Sequence, residues 1–390
     1  MIKYPLATLS WDSEEIEAIQ RVIASGNFTM GEYVNRFEKM FAEYCGSKYC
    51  VMVNSGSSAN LLAIAALFYR KDKPLIKGDE AIVPAVSWAT TFYPLYQYGL
   101  KLKFVDIDLK TLNFDINALD NSITEKTRII LAVNLLGNPN DYDAINRMIG
   151  CKDIILIEDN CESMGAEYNN KKAGTFGIMG TFSCFFSHHI STMEGGLIVT
   201  DNEELYHILL SLRAHGWTRN LPKHNYVTGI KGDNWFEESW NFVLPGYNVR
   251  PLELCGAVGI EQLKKLPQFI SERRKNALFF KKLFDNNDFL IMQKEIGTSS
   301  WFGFSLILKP ETKIDRKKVI QKLNEEGIES RPIVSGNFTK NSVMKYFDYE
   351  ISGNLINADI LDRNGFFVGN HHYDVTKEIL MLHKILSNFV

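Results

Sequence analysis

The chain has 390 residues, of which 45% are hydrophobic and 23% are charged, and its formal net charge at pH 7 is −3. This composition is ordinary for a globular protein large enough to form two domains, and it gives no reason to expect a nucleic acid or an anionic membrane as a partner. No apolar run is long enough to cross a membrane and the first residues lack the pattern of a signal peptide, so we expect no membrane contact and a cytoplasmic location. The six cysteines form no Cys-x-x-Cys pair, which favours reduced, buried thiols over a metal site.

Short apolar runs alternate with helix-like patterns over the first 250 residues. The predicted helices cover residues 13–24, 57–69, 89–98, 142–148 and 203–213. The predicted strands cover residues 49–53, 81–84, 103–106, 129–134, 154–158, 181–186 and 197–200. Most of these strands are rich in Val, Ile and Phe without clean alternation, as expected of strands covered on both faces. The pattern predicts an α/β fold with a mainly parallel seven-stranded sheet flanked by helices.

The pattern changes near residues 245–251. A long helical region over 252–284, interrupted at Pro267, precedes a strand at 301–308, a helix at 316–326, a strand near 329–333 and a last helix at 376–387. We therefore expect two domains, a large one over residues 1–250 and a smaller α+β domain over 251–390.

Residues 51–60 are typical of a strand, a turn of small residues and the start of a helix. Gly56 would let the backbone approach a ligand closely, and Ser57 would place free N–H and hydroxyl groups at the positive end of the helix. The turn is therefore a candidate phosphate site. The alternative is a simple helix cap. The turn is neither a Walker loop nor a dinucleotide-binding turn, since a Walker ending and a Gly-x-Gly-x-x-Gly pattern are both missing.

Three further candidates follow predicted strand ends. Asp159 ends an apolar strand at the edge where ligands bind in parallel sheets, and a carboxylate there can hold a protonated pyridine nitrogen. Glu162 could reach a hydroxyl group on the same ring, although both residues could equally cap the next segment. Trp88 could stack on a flat cofactor ring, or it could be a half-buried core residue.

The segment 180–196 contains Ser183, a second candidate phosphate ligand, followed by His188 and His189 and by Glu-Gly-Gly at 194–196. An imidazole can move protons near neutral pH, but the alternative is a surface histidine pair without a role. The phosphate turn, Trp88, the Asp159 pair and this segment occur in one order at successive strand ends, which argues against coincidence.

The chain resembles the sugar aminotransferase and dehydratase family of fold type I pyridoxal-phosphate enzymes nearly from end to end. The matching motifs lie at residues 28–33, 82–88, 134–138, 156–165, 187–190, 213–219 and 245–251. In this family a lysine six residues before Glu-Gly-Gly forms a Schiff base with the cofactor, and six residues before Glu194 stands His188. Histidine at this position is specific to the dehydratase branch. Met193 replaces a glycine of many relatives and touches no reacting group.

This resemblance implies pyridoxal 5'-phosphate and its amine form, pyridoxamine 5'-phosphate, as cofactors. It implies removal of the C3 hydroxyl group from GDP-4-keto-6-deoxymannose, with L-glutamate supplying the amine and with 2-oxoglutarate and ammonia as products. It also implies a role in colitose supply for the O-antigen of lipopolysaccharide.

The resemblance further implies residues that would bind the substrates, and a homodimer with shared sites. Asn248 would contact the cofactor phosphate from a second subunit, and Arg250 with His215 would hold the carboxylate of glutamate. Arg219 and Glu329 would face the nucleotide, where a carboxylate suits the guanine edge. Near the sugar would lie Asn27, Phe28 and Thr29. Each could instead be a surface polar residue, and Arg250 could pair with Glu253.

Three alternatives remain open at this stage. An ordinary aminotransferase needs a lysine at the cofactor, yet Lys171 and Lys172 lie in a polar loop before Gly174. A CDP-sugar dehydratase of the same histidine type carries an iron–sulfur cluster on four cysteines, whereas Cys255 is the single cysteine after position 184. A sugar-binding protein without a cofactor is the third alternative.

Overall fold

A computed structural model describes residues 2–285 and 287–389. Its α-helices are α1 Ser13–Ser25, α2 Glu32–Cys45, α3 Gly56–Leu67, α4 Ala89–Gln97, α5 Ile116–Ser122, α6 Tyr142–Ile149, α7 Glu203–Leu212, α8 Trp235–Glu238, α9 Glu253–Phe284, α10 Arg316–Glu326, α11 Ile356–Asn364 and α12 Thr376–Leu386. Its strands are β1 Tyr49–Val53, β2 Glu80–Pro84, β3 Lys101–Val105, β4 Thr127–Val133, β5 Ile155–Asp159, β6 Glu167–Tyr168, β7 Lys171–Lys172, β8 Met179–Ser183, β9 Gly196–Thr200, β10 His224–Asn225, β11 Gly229–Ile230, β12 Leu290–Ile291, β13 Gly303–Leu308, β14 Ser330–Arg331, β15 Tyr349–Ile351 and β16 Gly365–Gly369.

The large sheet has the strand order β1-β9-β8-β5-β4-β2-β3-β15. All pairings from β8 to β15 are parallel, while β9 runs antiparallel to both of its neighbours. Strands β2, β5, β8 and β9 are buried along their whole length, because helices cover both faces. Strands β1, β2, β4, β5 and β8 therefore all end at one edge of the sheet, where the loops that carry the predicted site begin.

A second, antiparallel sheet has the order β12-β13-β16-β14. Its apolar residues pack with one side of α9, α10 and α12 in a separate core that includes Phe280, Phe304, Leu323 and Leu382. The first half of α9 packs instead against α1 and α2. None of the helices within residues 2–285 and 287–389 is both long and apolar enough to cross a membrane.

The fold prediction is confirmed in class, and several details differ. The sheet has eight strands and not seven, because β15, a three-residue strand from the C-terminal part, pairs with β3. The sequence pattern did not predict strand β16, several two-residue strands or four of the helices, namely α2, α5, α8 and α11. The predicted interruption at Pro267 is wrong, since α9 continues through it. Pro267 lies on the exposed face, where water can replace the hydrogen bond that its missing N–H cannot make.

The expectation that the thiols are buried holds for four of the six cysteines. Cys151 is exposed, and Cys161 is partly exposed. Cys151 follows the last turn of α6 in a surface loop, which the position of a cysteine in the sequence does not reveal.

Candidate active site

A cavity of about 640 Å³ opens at the carboxyl edge of the large sheet. Its floor comes from the loops that follow β1, β2, β4, β5 and β8, and its opposite wall comes from Phe302, Arg331, Phe367 and their neighbours in the second sheet. The N-terminal residues 6–8 close one side. Seven of the predicted site residues line this cavity, namely Gly56, Ser57, Trp88, Asp159, Glu162, Ser183 and His188.

The phosphate turn begins α3 and lies against the end of β8. Ser55 caps the helix by accepting a hydrogen bond from the backbone N–H of Ser58 at 3.1 Å, so the helix-cap interpretation is correct for Ser55. A Cβ atom at Gly56 would lie 2.6 Å from Cβ of Ser183, which excludes every larger residue. Ser57 donates a hydrogen bond to Thr90 at 2.9 Å. Backbone N–H groups and two serine hydroxyl groups thus converge at a helix N-terminus, which suits a phosphate.

Asp159 also lines the cavity floor and is almost fully buried. Its Oδ2 accepts hydrogen bonds from Asn60 at 2.9 Å and from Thr91 at 2.8 Å, and its Oδ1 accepts one from the backbone of Cys161 at 3.1 Å. Three donors and no acceptor surround the carboxylate, and such an environment stabilises its charged form. An anion held here can pair with a protonated ring nitrogen.

Glu162 is the second carboxylate of the cavity floor, and its environment differs from that of Asp159. Its Oε2 accepts one hydrogen bond, from the backbone of Leu136 at 3.0 Å. Burial raises the pKa of Glu162 to about 7, the Leu136 bond opposes this shift, and the nearby Asp159 charge adds to it. Near neutral pH a share of the Glu162 side chains is therefore protonated, and in that form Glu162 can donate a hydrogen bond.

Glu162 should make the stability of the cofactor-free protein depend on pH. Because its folded-state pKa lies above its unfolded value near 4.5, the folded state loses stability as the pH rises from about 4.5 through about 7. We expect Glu162→Gln to match the original protein below pH 4.5 and to exceed it by up to about 3 kcal/mol above pH 7. Denaturant unfolding across this pH range measures the difference. The exposed Glu43→Gln is the control, and an equal effect of both variants would contradict the assignment.

Trp88 borders the cavity, and its side chain is 60% exposed. The interpretation as a half-buried core tryptophan is therefore wrong. The residue immediately precedes α4 and lines the same cavity as the phosphate turn and Asp159. A planar ring bound there would gain stacking surface.

His188 lies in the loop after β8 and lines the cavity, whereas His189 is buried and bonds to the backbone of Ser300. The two histidines are therefore not a surface pair. The ring of His188 packs edge-on against Phe302, with centroids 5.2 Å apart, and its Nδ1 is buried without a hydrogen-bond partner. Burial, together with the nearby positive charge of Arg273, lowers the pKa of His188 to about 4. The imidazole is thus neutral at neutral pH and can accept a proton.

The cavity fits a phosphorylated pyridine cofactor. A phosphate suits the glycine approach at Gly56, and a pyridinium suits the fully donor-bonded Asp159 in the same cavity. The described residues that line the cavity include no lysine. Lys171 donates to the backbone of Thr175, and Lys172 pairs with Glu167. Within the same described residues, no three His, Cys, Asp or Glu side chains cluster in a way that could hold a metal ion.

The remaining predicted residues do not line this cavity within one chain. Glu329 contacts a lining residue, since its carboxylate accepts a hydrogen bond from the backbone of Leu6 at 2.9 Å. The others lie on the surface, and they are Asn27, Phe28, Thr29, His215, Arg219, Asn248 and Arg250.

Trp217 organises most of these surface residues. The guanidinium of Arg219 lies 4.0 Å from its ring centroid, that of Arg250 lies 5.6 Å away, and the ring of His215 meets it edge-on. Arg250 also donates to Asn248 at 3.0 Å. We call His215, Trp217, Arg219, Asn248 and Arg250 the Trp217 face.

The proposed alternative of an Arg250–Glu253 ion pair is not what the structure shows. The Glu253 carboxylate is buried and accepts hydrogen bonds from the backbone of Gly31 at 2.7 Å and of Val34 at 3.2 Å. Arg250 therefore keeps its charge available on the surface.

Several cavity residues were missed by the sequence reasoning. Arg331 follows Glu329 in a predicted strand, so that strand could have suggested it. Arg273 stands in the charged run 272–275 of α9, which is typical of a solvated helix face, and the sequence gives no signal that it is buried. His371 follows β16, a strand that the sequence pattern did not predict.

Residues 10–377 match the model of the DegT/DnrJ/EryC1/StrS aminotransferase family. A GDP-4-keto-6-deoxy-D-mannose 3-dehydratase from Escherichia coli O55:H7 is 64% identical over 388 residues, which are 99% of this chain and 100% of the relative. A solved structure of the E. coli enzyme with bound hydrated PLP is 64% identical with a TM-score of 0.98, over 99% of this chain and 100% of that one. Another, of a GDP-4-keto-6-deoxymannose-3-dehydratase with a trapped PLP-glutamate geminal diamine, is 63% identical with a TM-score of 0.97, over 98% and 100%.

Proposed function

The chain belongs to the DegT/DnrJ/EryC1/StrS aminotransferase family, and we propose that it acts within it as a GDP-4-keto-6-deoxy-D-mannose 3-dehydratase dependent on pyridoxal phosphate. The reaction removes the C3 hydroxyl group and yields GDP-4-keto-3,6-dideoxymannose. L-Glutamate supplies the amine and leaves as 2-oxoglutarate, and the nitrogen is released as ammonia. The oxygen lost by the sugar equals the oxygen gained by the glutamate skeleton, so no other oxidant or reductant is needed.

One observation carries this choice over an aminotransferase. An imidazole, that of His188, lines the cavity in the loop after β8, and none of the described cavity residues is a lysine. Histidine has no amine that could tether the cofactor or complete an amino sugar, yet it can accept and donate protons.

The residues that would hold the cofactor follow from the cavity floor. We propose that Gly56, Ser57 and Ser183 bind its phosphate, that Asp159 pairs with its ring nitrogen and that Trp88 stacks on its ring. When bound, the amine form of the cofactor supplies an amine for the C4 ketone and a ring that accepts electrons. Glu162, which can be protonated at neutral pH, would donate a hydrogen bond to the ring oxygen.

His188 performs the proton transfers in this proposal. Neutral at physiological pH, it would remove a proton from the reactive carbon of the bound cofactor. As an imidazolium in a buried site it is a strong acid, so it then protonates the C3 hydroxyl oxygen, which leaves as water. Phe302 and the surrounding apolar wall limit the access of bulk water to this proton.

We propose that the Trp217 face completes the cavity of a second copy in a homodimer. Asn248 would reach the phosphate, and Arg250 with His215 would hold a carboxylate of glutamate, for which the arginine fork is suited. Arg219 and Glu329 would bind the nucleotide, and residues 27–29 the sugar. Support comes from the exposed aromatic side chains near this face, since large exposed apolar patches mark interfaces. They are Trp235, Phe236, Trp240 and Phe242, each more than half exposed.

Subunit mixing tests the shared sites. We expect His188→Asn and Asn248→Asp each to be inactive as homodimers, the latter because a carboxylate repels the phosphate. After subunit exchange, each mixed dimer would have one intact site out of two. Because about half of the dimers are mixed, about a quarter of the original activity should return. Each variant incubated alone is the control. Mixed dimers without activity would mean that both residues serve the same subunit's site.

The reaction itself is tested by incubating the protein with GDP-4-keto-6-deoxymannose, L-glutamate and pyridoxal phosphate. We expect a product 16 mass units lighter than the substrate, together with ammonia, because one oxygen is lost. An amino sugar with the nitrogen retained would instead identify an aminotransferase. No conversion, despite cofactor binding, would favour a sugar-binding protein.

The wider context of the proposal has three parts. We propose that residues 1–250 and 251–390 act as separate domains whose contact forms the cavity. We propose a cytoplasmic location, because nucleotide sugars and L-glutamate are made and used there. We also propose that the product leads to a dideoxysugar, such as colitose, of lipopolysaccharide O-antigen.

A further inference from the structure

Arg273 is a buried cation that the proposed reaction does not yet use. It lies on α9, is 5% exposed and lines the same cavity as His188. Its Nη1 donates to the backbone carbonyls of Phe302, at 3.0 Å, and of Asn370, while its buried Nε has no hydrogen-bond partner. Both acceptors are neutral, and none of the carboxylates in the described residues pairs with this guanidinium. Burial lowers the pKa of Arg273 to about 10, which leaves it charged at neutral pH.

The charge of Arg273 is separated from His188 by a single residue. Phe302 accepts the Arg273 hydrogen bond with its carbonyl, and its ring packs against His188 at 5.2 Å and against His189 at 5.7 Å. Phe302 is partly buried and borders the cavity, so the field of the guanidinium is screened by water on that side until a ligand fills the cavity.

We propose that Arg273 is a positioning residue for proton transfer, an unneutralised cation that keeps His188 unprotonated between turnovers and drives its proton onto the leaving hydroxyl group. This inference rests on the proposed function. The same charge also anchors the two segments that carry Phe302 and Asn370, which fixes its distance from the imidazole.

Other charged groups face the same space, and their effects can be separated. The titratable or charged side chains that also line the cavity are Asp159, Cys161, Glu162, Glu194, Arg331 and His371. The carboxylates among them favour protonation of His188, so they oppose Arg273, whereas Arg331 acts in the same direction. His189, the next residue, is itself buried, and its pKa is lowered by burial and by Arg273. The pKa of His371 falls to about 4 for the same two reasons.

This role of Arg273 predicts opposite effects on the two proton transfers that His188 performs. A weakly basic imidazole removes a proton from carbon more slowly, but it releases that proton more readily to oxygen. Expelling a hydroxyl group needs a strong acid, and a free ammonium group would be a far weaker one. A cation near the base therefore assists loss of the hydroxyl group, and it slows the removal of the proton from carbon.

The test is a histidine NMR titration of the cofactor-free protein, with the His188 signal identified by its absence in His188→Asn. In the original protein we expect His188 to remain neutral down to about pH 4. In Arg273→Gln, which keeps amide donors but loses the charge, its midpoint should rise by roughly one pH unit. In Arg273→Lys, which keeps the charge, it should stay low. In the enzyme with bound cofactor, the pH at which the rate falls on the acid side should rise in Arg273→Gln and stay low in Arg273→Lys.

Three outcomes would overturn the proposal. The first is a His188 midpoint near 6.5 in the original protein, which needs no variant and so holds even if Arg273→Gln does not fold. The second is an equal shift in the glutamine and lysine variants, which would indicate a structural role alone. The third is an unchanged midpoint in Arg273→Gln. Product analysis is separate from all three, so dehydration could be demonstrated while this role of Arg273 is refuted.

Discussion

Replacing His188 by asparagine should lower the rate of dehydration by a factor of about 10² to 10⁴, the range that general acid–base catalysis contributes. Asparagine is close to histidine in size and can occupy the same space beside Phe302, so cofactor binding should persist. It cannot take a proton from carbon or return one to the hydroxyl oxygen. Steady-state product formation, together with the absorbance of the bound cofactor, measures both consequences.

A control for this substitution is His224→Asn. His224 is an exposed histidine in the surface strand β10, away from the cavity, so its loss should leave the rate unchanged. Undiminished dehydration in His188→Asn would show that another group acts as the base. If the absorbance of the bound cofactor fell in His188→Asn as much as the rate, His188 would instead serve to bind the cofactor.

Replacing Asp159 by asparagine should have the second large effect. Its oxygens accept from Asn60, Thr91 and the backbone of Cys161, so an amide NH₂ group at either position would face a donor. Loss of the charge also removes the partner of the protonated ring nitrogen. We expect the rate to fall by at least about 10³-fold, which corresponds to roughly 4 kcal/mol of transition-state stabilisation.

Two variants make the Asp159 result specific. Asp201→Asn removes a carboxylate just after β9, at the opposite edge of the sheet, and should retain full activity. Thr91→Ser keeps the hydroxyl donor to Asp159 and should lose little. An active Asp159→Asn enzyme would mean that the ring nitrogen needs no anionic partner, and the placement of the cofactor would have to be reversed.

The cavity floor could be predicted from the sequence because parallel strands end at one edge. Ser57, Asp159 and His188 are far apart in the chain, yet each follows an apolar run that the pattern identifies as a strand. Once a parallel sheet is inferred, the positions just after its strands must be neighbours. The large sheet is thus predictable from local patterns, and the floor of the site follows from it.

The opposite wall could not be predicted in this way. Arg273 is polar and long, and nothing in its charged neighbourhood distinguishes a buried cation from a solvated one. Strand β15 has three residues, which is too short for a periodic pattern, and its partner β3 lies more than 200 residues earlier in the chain. Four members of the Trp217 face, namely His215, Arg219, Asn248 and Arg250, were named through the resemblance, whereas the contacts of Trp217 itself came from the structure.

The proposed reaction depends most on the chemical nature of the side chain that faces the cofactor. Reduction of the protein with borohydride in the presence of pyridoxal phosphate, followed by mass analysis of the intact chain and of its peptides, tests this directly. Because His188 offers no amine, we predict that no pyridoxyl group becomes fixed to the chain and that the cofactor is removed by dialysis. A pyridoxyl group on any lysine peptide in stoichiometric amount would contradict the account and return the protein to the aminotransferases.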